Sequence, residues 1–575
     1  MPRRHVYRDP QGALHPIVAQ VGVDQGCPGS STLACIGVAG LHESLAEHCF
    51  VADLQDDPYL LMAQAGIKQS LEAIAPALMQ TGCQLNFRKS GVWSPNLCDV
   101  GGSGIQRLAE VPHVLKQALA RHTGIDDAAV ATFDLAGVSS IVDARKAFLN
   151  RIDDLRAAGL SLHHATCLAR SALGGDSVYV QQCQPLPQDQ QEHLDKVAVE
   201  SLLNLIEVDS SENAELGCSA ERWLIPWREG GFGFQSVRHS ALANYVASWL
   251  RDLDGIAERM QLASATALLE RAHSIRNVLQ ATVVQLAAQG ANVPGELFQA
   301  LSEAKDSKLA RKWRSDVVTR TVRNIESGAT DDQITAMHES GGVGSSSWMN
   351  FPMKPAHHMS NQEFRTSVRL RMSLEVFKKE PHCNLLCKHA SSRNGVRRTC
   401  NTLLDTRGLH ALLCKLGGYV VKRHNRGRDC LAGLIEDRVQ STVHIEQHTP
   451  ELVADARHPD IDFFDSQQRH KYIDIEVCTP HARSLPGAAA LHKRGALIET
   501  AEGVKRRRYA HLALIPAVIS HLGRFGSGCQ SLFRLINRQV DESARSQSIE
   551  DCYQTLGCEI QKANVALLEA AGPLL

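Results

Sequence analysis

The 575-residue chain lacks a run of about twenty apolar residues, so we expect no membrane span. It begins MPRRHVYRDPQG, without the apolar core of a signal peptide. Its 17 cysteines are scattered, not laid out as a compact disulfide framework. There is no internal repeat, and a formal net charge of −1 says nothing about partners. These absences favour an intracellular protein with reduced thiols.

The length allows about three to four domains. Residues 1–95 mix short strand-like runs with one helix, and a hairpin is predicted around Asp9-Pro10-Gln11-Gly12. Residues 96–325 show mostly helical apolar spacing, and residues 326–382, rich in Gly, Ser and Pro, are interpreted as a linker with a connecting helix. A Cys/His-rich stretch follows at 383–416, and residues 417–575 have an α/β pattern.

The local charge is more informative than the total. Between Cys383 and Cys430 there are ten Lys or Arg residues and two Asp residues. This excess of positive charge indicates a surface that could bind the phosphates of a nucleic acid, although an ordinary solvated surface is the alternative. The candidate nucleic-acid-binding residues at the entrance of the following helix are Lys422, Arg423, His424, Arg426 and Arg428, where phosphate is favoured. His424 could instead be a structural histidine.

The Cys/His-rich stretch contains a candidate zinc site. Cys387, Cys400, His410 and Cys414 supply the four ligands that a structural tetrahedral zinc ion requires. The first ligand is ambiguous between Cys387 and Cys383, because the spacing is not the tight two-residue kind. A set of buried cysteines without a metal is the alternative.

A run of carboxylates then lies in a strand-like pattern. In YIDIEV, strand alternation places Tyr472, Asp474 and Glu476 on one face and the aliphatic residues on the other. With Asp460 from a neighbouring strand, these acids could hold one or two divalent cations through oxygen. A solvated hairpin is the more frequent outcome for such a pattern on physical grounds alone. We assign Asp462 and Asp465 to a solvated turn and Asp455 to its approach.

Further along, ETAEGVKRRRYAH places three functional side chains near one helical face, those of Glu502, Lys505 and Tyr509. A lysine near a bound metal could orient water or neutralise developing charge. The third acid of the site remains open between Glu476 and Glu502.

The order of Cys residues, GLHALLC, GG, KRH, HPDI, YIDIEV and Lys-x3-Tyr resembles the carboxy-terminal half of non-LTR retrotransposon proteins that carry a restriction-like endonuclease. The resemblance implies a zinc knuckle followed by a PD-(D/E)xK nuclease, in which Asp460 and Asp474 bind Mg²⁺ or Mn²⁺. In the plain pattern the lysine lies two residues after Asp474, where this chain has Glu476. Lys505 on the following helix is therefore the catalytic lysine that the resemblance suggests.

The amino-terminal part is similar to the reverse transcriptase of such elements. GVDQGCPGSS, with Gln25 and Gly26, resembles the motif beside the template, and LQDDPYLL resembles the polymerase turn with Asp56 and Asp57. GCQLNFRKSGVW matches the next palm motif, with Lys89 at the family lysine. The fold class implied is mixed α/β and α: a truncated palm, a helical thumb, a small zinc knuckle and a restriction-endonuclease-like domain.

The chain departs from this family at its amino-terminal end. Leu54 replaces the aromatic residue of the turn, and the fingers and one palm strand with its metal-binding Asp do not precede the Gln-Gly motif. We therefore expect polymerase activity to be lost, unless another chain supplies the missing part.

The leading hypothesis is a Mg²⁺-dependent, target-nicking DNA endonuclease, expected in the nucleus, with retroelement RNA as a further candidate partner. No small-molecule substrate is expected beyond the dNTP of an intact relative. The alternative is a catalytically dead retroelement fragment that at most binds nucleic acid.

Overall fold

The structure is a computed structural model that describes six strands in the first 107 residues and most of residues 135–575. In the latter range, residues 176, 184, 209–218, 260–261, 304–307, 378–384, 394–395, 447–457 and 481–492 are not described. The chain divides into two compact units, Met1–Asp134 with Leu253–Val278, and Leu135–Asp252 with Leu279–Leu575. Its composition of helices and small sheets is the mixed one that the sequence predicted. No helix in the described part of the chain is both long and apolar enough to cross a membrane.

In the described part of Met1–Asp134, the first unit contains three strand pairs. β1 (Arg3–Arg8) and β2 (Leu14–Ala19) are antiparallel, with Arg8 opposite Leu14, which confirms the hairpin predicted there. β3 (Phe50–Leu54) and β4 (Asp57–Leu61) are also antiparallel, and Leu54 lies opposite Asp57. β5 (Gly91–Val92) runs parallel to β6 (Gln106–Arg107).

The central region is helical from Leu135 onward, as its apolar spacing predicted, whereas the earlier part of the stretch predicted as helical lies outside the described residues apart from the strand β6. Its helices are α1 (Leu135–Ala157), α2 (Leu162–Gly175), α3 (Val178–Cys183), α4 (Gln188–Leu205), α5 (Ser219–Arg222), α6 (Val237–Arg259), α7 (Ala265–Arg271), α8 (His273–Ala288), α9 (Leu297–Glu303), α10 (Leu309–Gly328), α11 (Asp331–Ser340) and α12 (Asn361–Arg371). Capping boxes begin two of them, because Thr330 pairs with Gln333 at α11 and Ser360 pairs with Glu363 at α12.

The stretch interpreted as a linker is instead packed into the core. Short 3-10 turns at Ser347–Met349 and Pro355–His357 join α11 to α12. Trp348 is 1% exposed and belongs to the same apolar cluster as Trp223, Phe232 and Phe364. Gly, Ser and Pro therefore supply turns here, while the few large apolar side chains anchor the segment.

Two buried arginines also tie this segment to the helical region. Arg222 donates to the carbonyl oxygens of Gly230 and Arg371, and Arg371 donates to the carbonyl oxygens of Gly231 and Ser345. Burial lowers the pKa of both guanidinium groups to about 9. Their donors satisfy carbonyl groups that would otherwise be buried without partners.

The carboxy-terminal part is a three-layered α/β structure. A small hairpin of β7 (Ala390–Arg393) and β8 (Val396–Thr399) comes first, followed by α13 (Leu409–Leu413), a 3-10 turn at Leu416–Gly418 and α14 (Tyr419–Val439). The main sheet has the order β12-β11-β10-β9. Its strands are β9 (Val443–Ile445), β10 (Ile461–Phe464), β11 (His470–Cys478) and β12 (Leu514–Ser520). The pair β11–β12 is parallel and the other pairs are antiparallel.

Helices cover both faces of this sheet. Alternate residues such as Phe463, Ile473 and Ile475 pack against α14, α16 (Ser527–Ile536) and α17 (Glu542–Ala571). On the other face, Cys478 and Val518 pack against α15 (Ala496–Arg508), the crossover helix between β11 and β12. The alternation predicted for YIDIEV is therefore present, and its acidic residues lie on the α15 face.

Candidate metal centre and acidic site

Four potential metal ligands converge in the Cys/His-rich region. The ligand atoms of Cys387, Cys400, His410 and Cys414 all lie within 4.8 Å of one another. The Sγ atoms of Cys387 and Cys414 are 3.9 Å apart, and Cys400 Sγ lies 3.4 Å from His410 Nε2. Sulfur atoms bound tetrahedrally to zinc at about 2.3 Å are separated by about 3.8 Å. The predicted Cys3His set can therefore hold a metal ion such as zinc.

Local backbone structure brings these ligands together. Asp405 accepts hydrogen bonds from the backbone N–H groups of Leu409 and His410 at 2.8 and 2.7 Å, which fixes the start of α13. Gly408 adopts a left-handed conformation, and a Cβ atom there would lie 2.6 Å from Leu568. Of the two candidates for the first ligand, Cys387 is in the cluster, whereas Cys383 lies outside the described residues.

The thiols of the cluster differ in acidity. Burial raises the pKa of Cys387 to about 12, and it also raises the pKa of Cys414. Burial acts in the same direction on Cys400, but hydrogen bonds from Thr402 and His410 outweigh it and lower that pKa to about 6. Cys400 is therefore the first thiolate available to a cation, and a bound metal would favour deprotonation of the other two.

The predicted acidic residues also converge, from three separate segments. Asp474 and Glu476 lie on β11, and Lys505 reaches them from α15: its Nζ atom is 2.7 Å from Asp474 Oδ2 and 3.3 Å from Glu476 Oε2. Asp460 precedes β10, and its Oδ2 accepts a hydrogen bond from the Ile475 N–H at 2.7 Å. The Asp460 and Asp474 carboxylates are close enough to change each other's pKa.

In this group, carboxylates lie close together around a single ammonium group, that of Lys505. Burial raises the pKa of Asp474 to about 6; the Lys505 charge opposes this rise and the Asp460 carboxylate adds to it. Burial also acts to raise the pKa of Asp460, but the contact with His424 keeps it below its usual value. Burial acts to lower the pKa of Lys505, yet the attraction of Asp474 and Glu476 outweighs it.

The charge of this acidic group favours binding of a cation, but its carboxylates are not arranged as a compact set of ligands. Three carboxylates against one lysine leave excess negative charge, which a divalent cation would neutralise through oxygen ligands. Among the described residues, however, only the Cys3His set has its ligand atoms within 4.8 Å of one another. Asp460, Asp474 and Glu476 are therefore spread more widely, and Glu476, with a side chain 45% exposed, has the most freedom to move.

The five predicted nucleic-acid-binding residues have different surroundings in α14. Arg423 is 3% exposed and donates to Asn564 Oδ1 at 3.0 Å, so it is a core residue and cannot contact nucleic acid in this conformation. Arg426 pairs with Glu559, and Arg428 pairs with Asp429 and Glu446. Lys422 is exposed and lies over the Tyr419 ring. His424 faces the acidic site instead of phosphate, with Nε2 3.2 Å from Asp460 Oδ1.

The two candidates for the third acid, Glu476 and Glu502, have different surroundings. Glu502 is buried, and its carboxylate accepts hydrogen bonds from the Gly528 N–H and the Ser527 hydroxyl at the start of α16. It therefore caps a helix, while Glu476 contacts Lys505. Tyr509 is buried beside the site, and its hydroxyl donates to the His458 carbonyl oxygen at 3.3 Å.

The assignment of Asp462 and Asp465 to a solvated turn is wrong. Asp465 is 2% exposed and accepts hydrogen bonds from the backbone N–H groups of residues 467 and 469, together with an ion pair from Arg469. Asp462 is 7% exposed, and its Oδ2 lies 2.7 Å from His470 Nε2 and 3.3 Å from His444 Nδ1. Sequence reasoning did not find this His-Asp-His group.

Most of the predicted polymerase residues fall in the part of the chain that the structure does not describe. Gln25, Gly26, Asp56 and Lys89 lie outside the described residues, as does Asp455. Asp57 begins β4, which pairs with β3, and residues 55–56 between the two strands are not described.

Comparison of the sequence with protein-family models and with curated proteins finds no match.

Proposed function

We propose that this chain is a metal-dependent DNA endonuclease of retroelement origin, with its catalytic site on the α15 face of the main sheet. The observation that carries the proposal is the convergence of Asp460, Asp474, Glu476 and Lys505 from segments up to 45 positions apart in the sequence. A buried carboxylate whose pKa is raised to about 6 beside a second one is typical of functional sites.

In this proposal each residue has a distinct role. Asp460 and Asp474, with Glu476 as the third acid, would hold Mg²⁺ or Mn²⁺, which supplies charge to activate water and stabilise the leaving oxygen of a phosphodiester. Lys505 would neutralise the negative charge that develops on the phosphate. His424 would hold Asp460 in place through its 3.2 Å contact, and the Ile475 N–H would hold the other oxygen of that carboxylate.

The test is nicking of supercoiled duplex DNA with Mg²⁺ or Mn²⁺. Asp460→Asn and Asp474→Asn are expected to lose at least about a hundredfold in rate, because each removes a cation ligand without changing side-chain size. Asp437→Asn, at an exposed position of α14, is the matched control and should cut normally. Asp56→Ala should also leave nicking unchanged. Nicking that survives in both site variants would refute the proposal.

A relic that binds nucleic acid without cutting it is the second candidate. The wider spacing of the carboxylates compared with the Cys3His set favours it. It predicts salt-sensitive binding and no nicking with Mg²⁺, Mn²⁺ or Co²⁺, so the same assay decides between the two functions.

The polymerase part of the proposal is separate. We expect no primer extension on an RNA template, because the matched motifs lack the further palm carboxylate that two-metal transfer requires. Extension that depends on Asp56 and Asp57 would overturn this expectation. A nuclease that acts on chromosomal DNA is also expected in the nucleus, which imaging of a tagged chain would test.

A further inference from the structure

The β7–β8 hairpin carries basic side chains on an exposed two-stranded ribbon. Ser391 lies opposite Arg398, and Ser392 lies opposite Arg397. All four residues of β8 are exposed, and Val396 is 64% exposed at the end of the strand. We call residues 390–393 and 396–399 the basic ribbon.

The Cys3His cluster holds the base of this ribbon. Cys387 precedes β7 and Cys400 follows β8, and the backbone pairing continues between them: Asn401 N–H donates to Cys387 O, and Cys400 N–H donates to His389 O at 2.8 Å. His389 Nε2 also lies 2.9 Å from the Leu567 carbonyl oxygen of α17. The base is therefore anchored to the core, while the four residues of β8, which pair with β7, are exposed.

Arg397 and Arg398 of the ribbon differ from Arg426 and Arg428 of α14 in their carboxylate partners. Arg426 and Arg428 each pair with carboxylates. In the part of the chain that the structure describes, neither Arg397 nor Arg398 has an acidic partner within ion-pair distance. Exposed Lys388 lies beside the ribbon in the sequence, and exposed Lys415 precedes the 3-10 turn that packs on β7, which keeps the surroundings positive.

We propose that the basic ribbon enters the major groove of duplex DNA. Arg397 and Arg398 are neighbours on one strand, so their side chains leave opposite faces of the ribbon. A groove presents phosphates on both of its walls, and one cation on each face matches that arrangement. The B-form major groove is about 12 Å wide and admits a two-stranded ribbon, whereas the A-form major groove of duplex RNA is too narrow.

This inference deepens the proposed function by naming the surface that receives its substrate, and it rests on that proposal only for the choice of DNA. Binding can be measured without Mg²⁺, when no cutting occurs. An absence of nicking would refute the nuclease proposal alone, and unchanged DNA binding by the ribbon variant would refute the ribbon proposal alone.

The experiment measures fluorescence anisotropy of labelled DNA and RNA duplexes of the same sequence with the zinc-loaded full chain, across a salt series. For two lost phosphate contacts, Arg397→Ala with Arg398→Ala should lower the slope of log Kd against log salt by about 1.8. If wild type and variant bind equally at about 1 M salt, this difference in slope makes the variant bind DNA about 30-fold more weakly than wild type at about 0.15 M salt. Zinc content and circular dichroism should stay unchanged, because both side chains are exposed.

Two comparisons make the result specific. Arg311→Ala with Lys312→Ala removes two exposed charges from α10 and should change Kd less than twofold. Arg397→Lys with Arg398→Lys keeps the charges and should retain most of the affinity and slope. Unchanged DNA binding in the double alanine variant would overturn the proposal. An equal loss for duplex RNA would overturn it too, because it would show a general polyanion surface and no groove-specific contact.

Discussion

Asp551 on α17 should make the stability of the carboxy-terminal region depend on pH below about 4. Its carboxylate accepts a hydrogen bond from Lys354 Nζ at 2.7 Å, lies 3.2 Å from His357 Nε2, and pairs with Arg438 of α14. Burial acts to raise its pKa, but these three partners outweigh burial and lower the pKa to about 2, against 3.8 for a free side chain. Asp551 therefore joins α17 to α14 and to the segment between α11 and α12.

The sign and size of the effect follow from this shift. Because the folded pKa is depressed, the stabilisation is fully present above the unfolded pKa and is lost as the pH falls through the folded value. At about 1.4 kcal/mol for each pKa unit, the contribution is about 2 kcal/mol near neutral pH. Asp551→Asn should lower the free energy of unfolding by this amount at pH 7 and by progressively less between pH 4 and 2.

Calorimetry of wild type and variant at several pH values measures the difference. For a domain of about 150 to 250 residues, a loss of about 2 kcal/mol should lower Tm by about 4 to 8 °C near neutral pH. Glu200→Gln is the matched control, because Glu200 forms an exposed pair with Lys196 and should contribute little. A Tm difference that is absent at pH 7, or that stays constant down to pH 2.5, would refute the reasoning.

Three further predictions concern the metal centre, the acidic site and the packed segment. Cys414→Ser should lose bound zinc and lower Tm, and Co²⁺ added to the metal-free wild type should give the visible absorption of a tetrahedral thiolate site that the variant lacks. Lys505→Met leaves buried carboxylates without their counter-charge and should cost about 3 kcal/mol in unfolding free energy, with part of the loss recovered by added Mg²⁺; no recovery would argue against cation binding. Trp348→Ala should cost about 3 to 5 kcal/mol in chemical denaturation, while Val343→Ala, at an exposed position, should be nearly neutral.

The parts of the fold that the sequence predicts are those governed by local patterns. A period of two residues identifies β11 and the face that carries Asp474 and Glu476, because neighbouring side chains in a strand must point in opposite directions. The ligand spacing identifies the Cys3His set, because metal ligands are chemically restricted. Both patterns can be recognised in the sequence without knowing which distant residues pack against them.

The features that sequence reasoning missed depend on distant partners. Arg423 looked like a surface cation, yet it is buried against Asn564, which lies 141 positions away. The segment around Trp348 looked like a linker because Gly and Ser dominate its composition, although the apolar residues in SSSWMNF were a signal of anchoring. Composition averages over a segment, whereas one large buried side chain decides where the segment lies.

Structural carboxylates also differ from the candidate catalytic ones in how many hydrogen-bond donors and positive charges surround them. Asp465 receives two backbone N–H groups and an arginine, Glu502 receives a backbone N–H, a hydroxyl and an arginine, and Asp462 lies between two histidines. Asp474 has one lysine, which it shares with Glu476; burial raises its pKa to about 6, and the neighbouring Asp460 carboxylate adds to that rise. A fold that only needed to satisfy Asp474 would give it N–H donors, as it gives the others. Its remaining negative charge is the physical reason to look for a cation at this position.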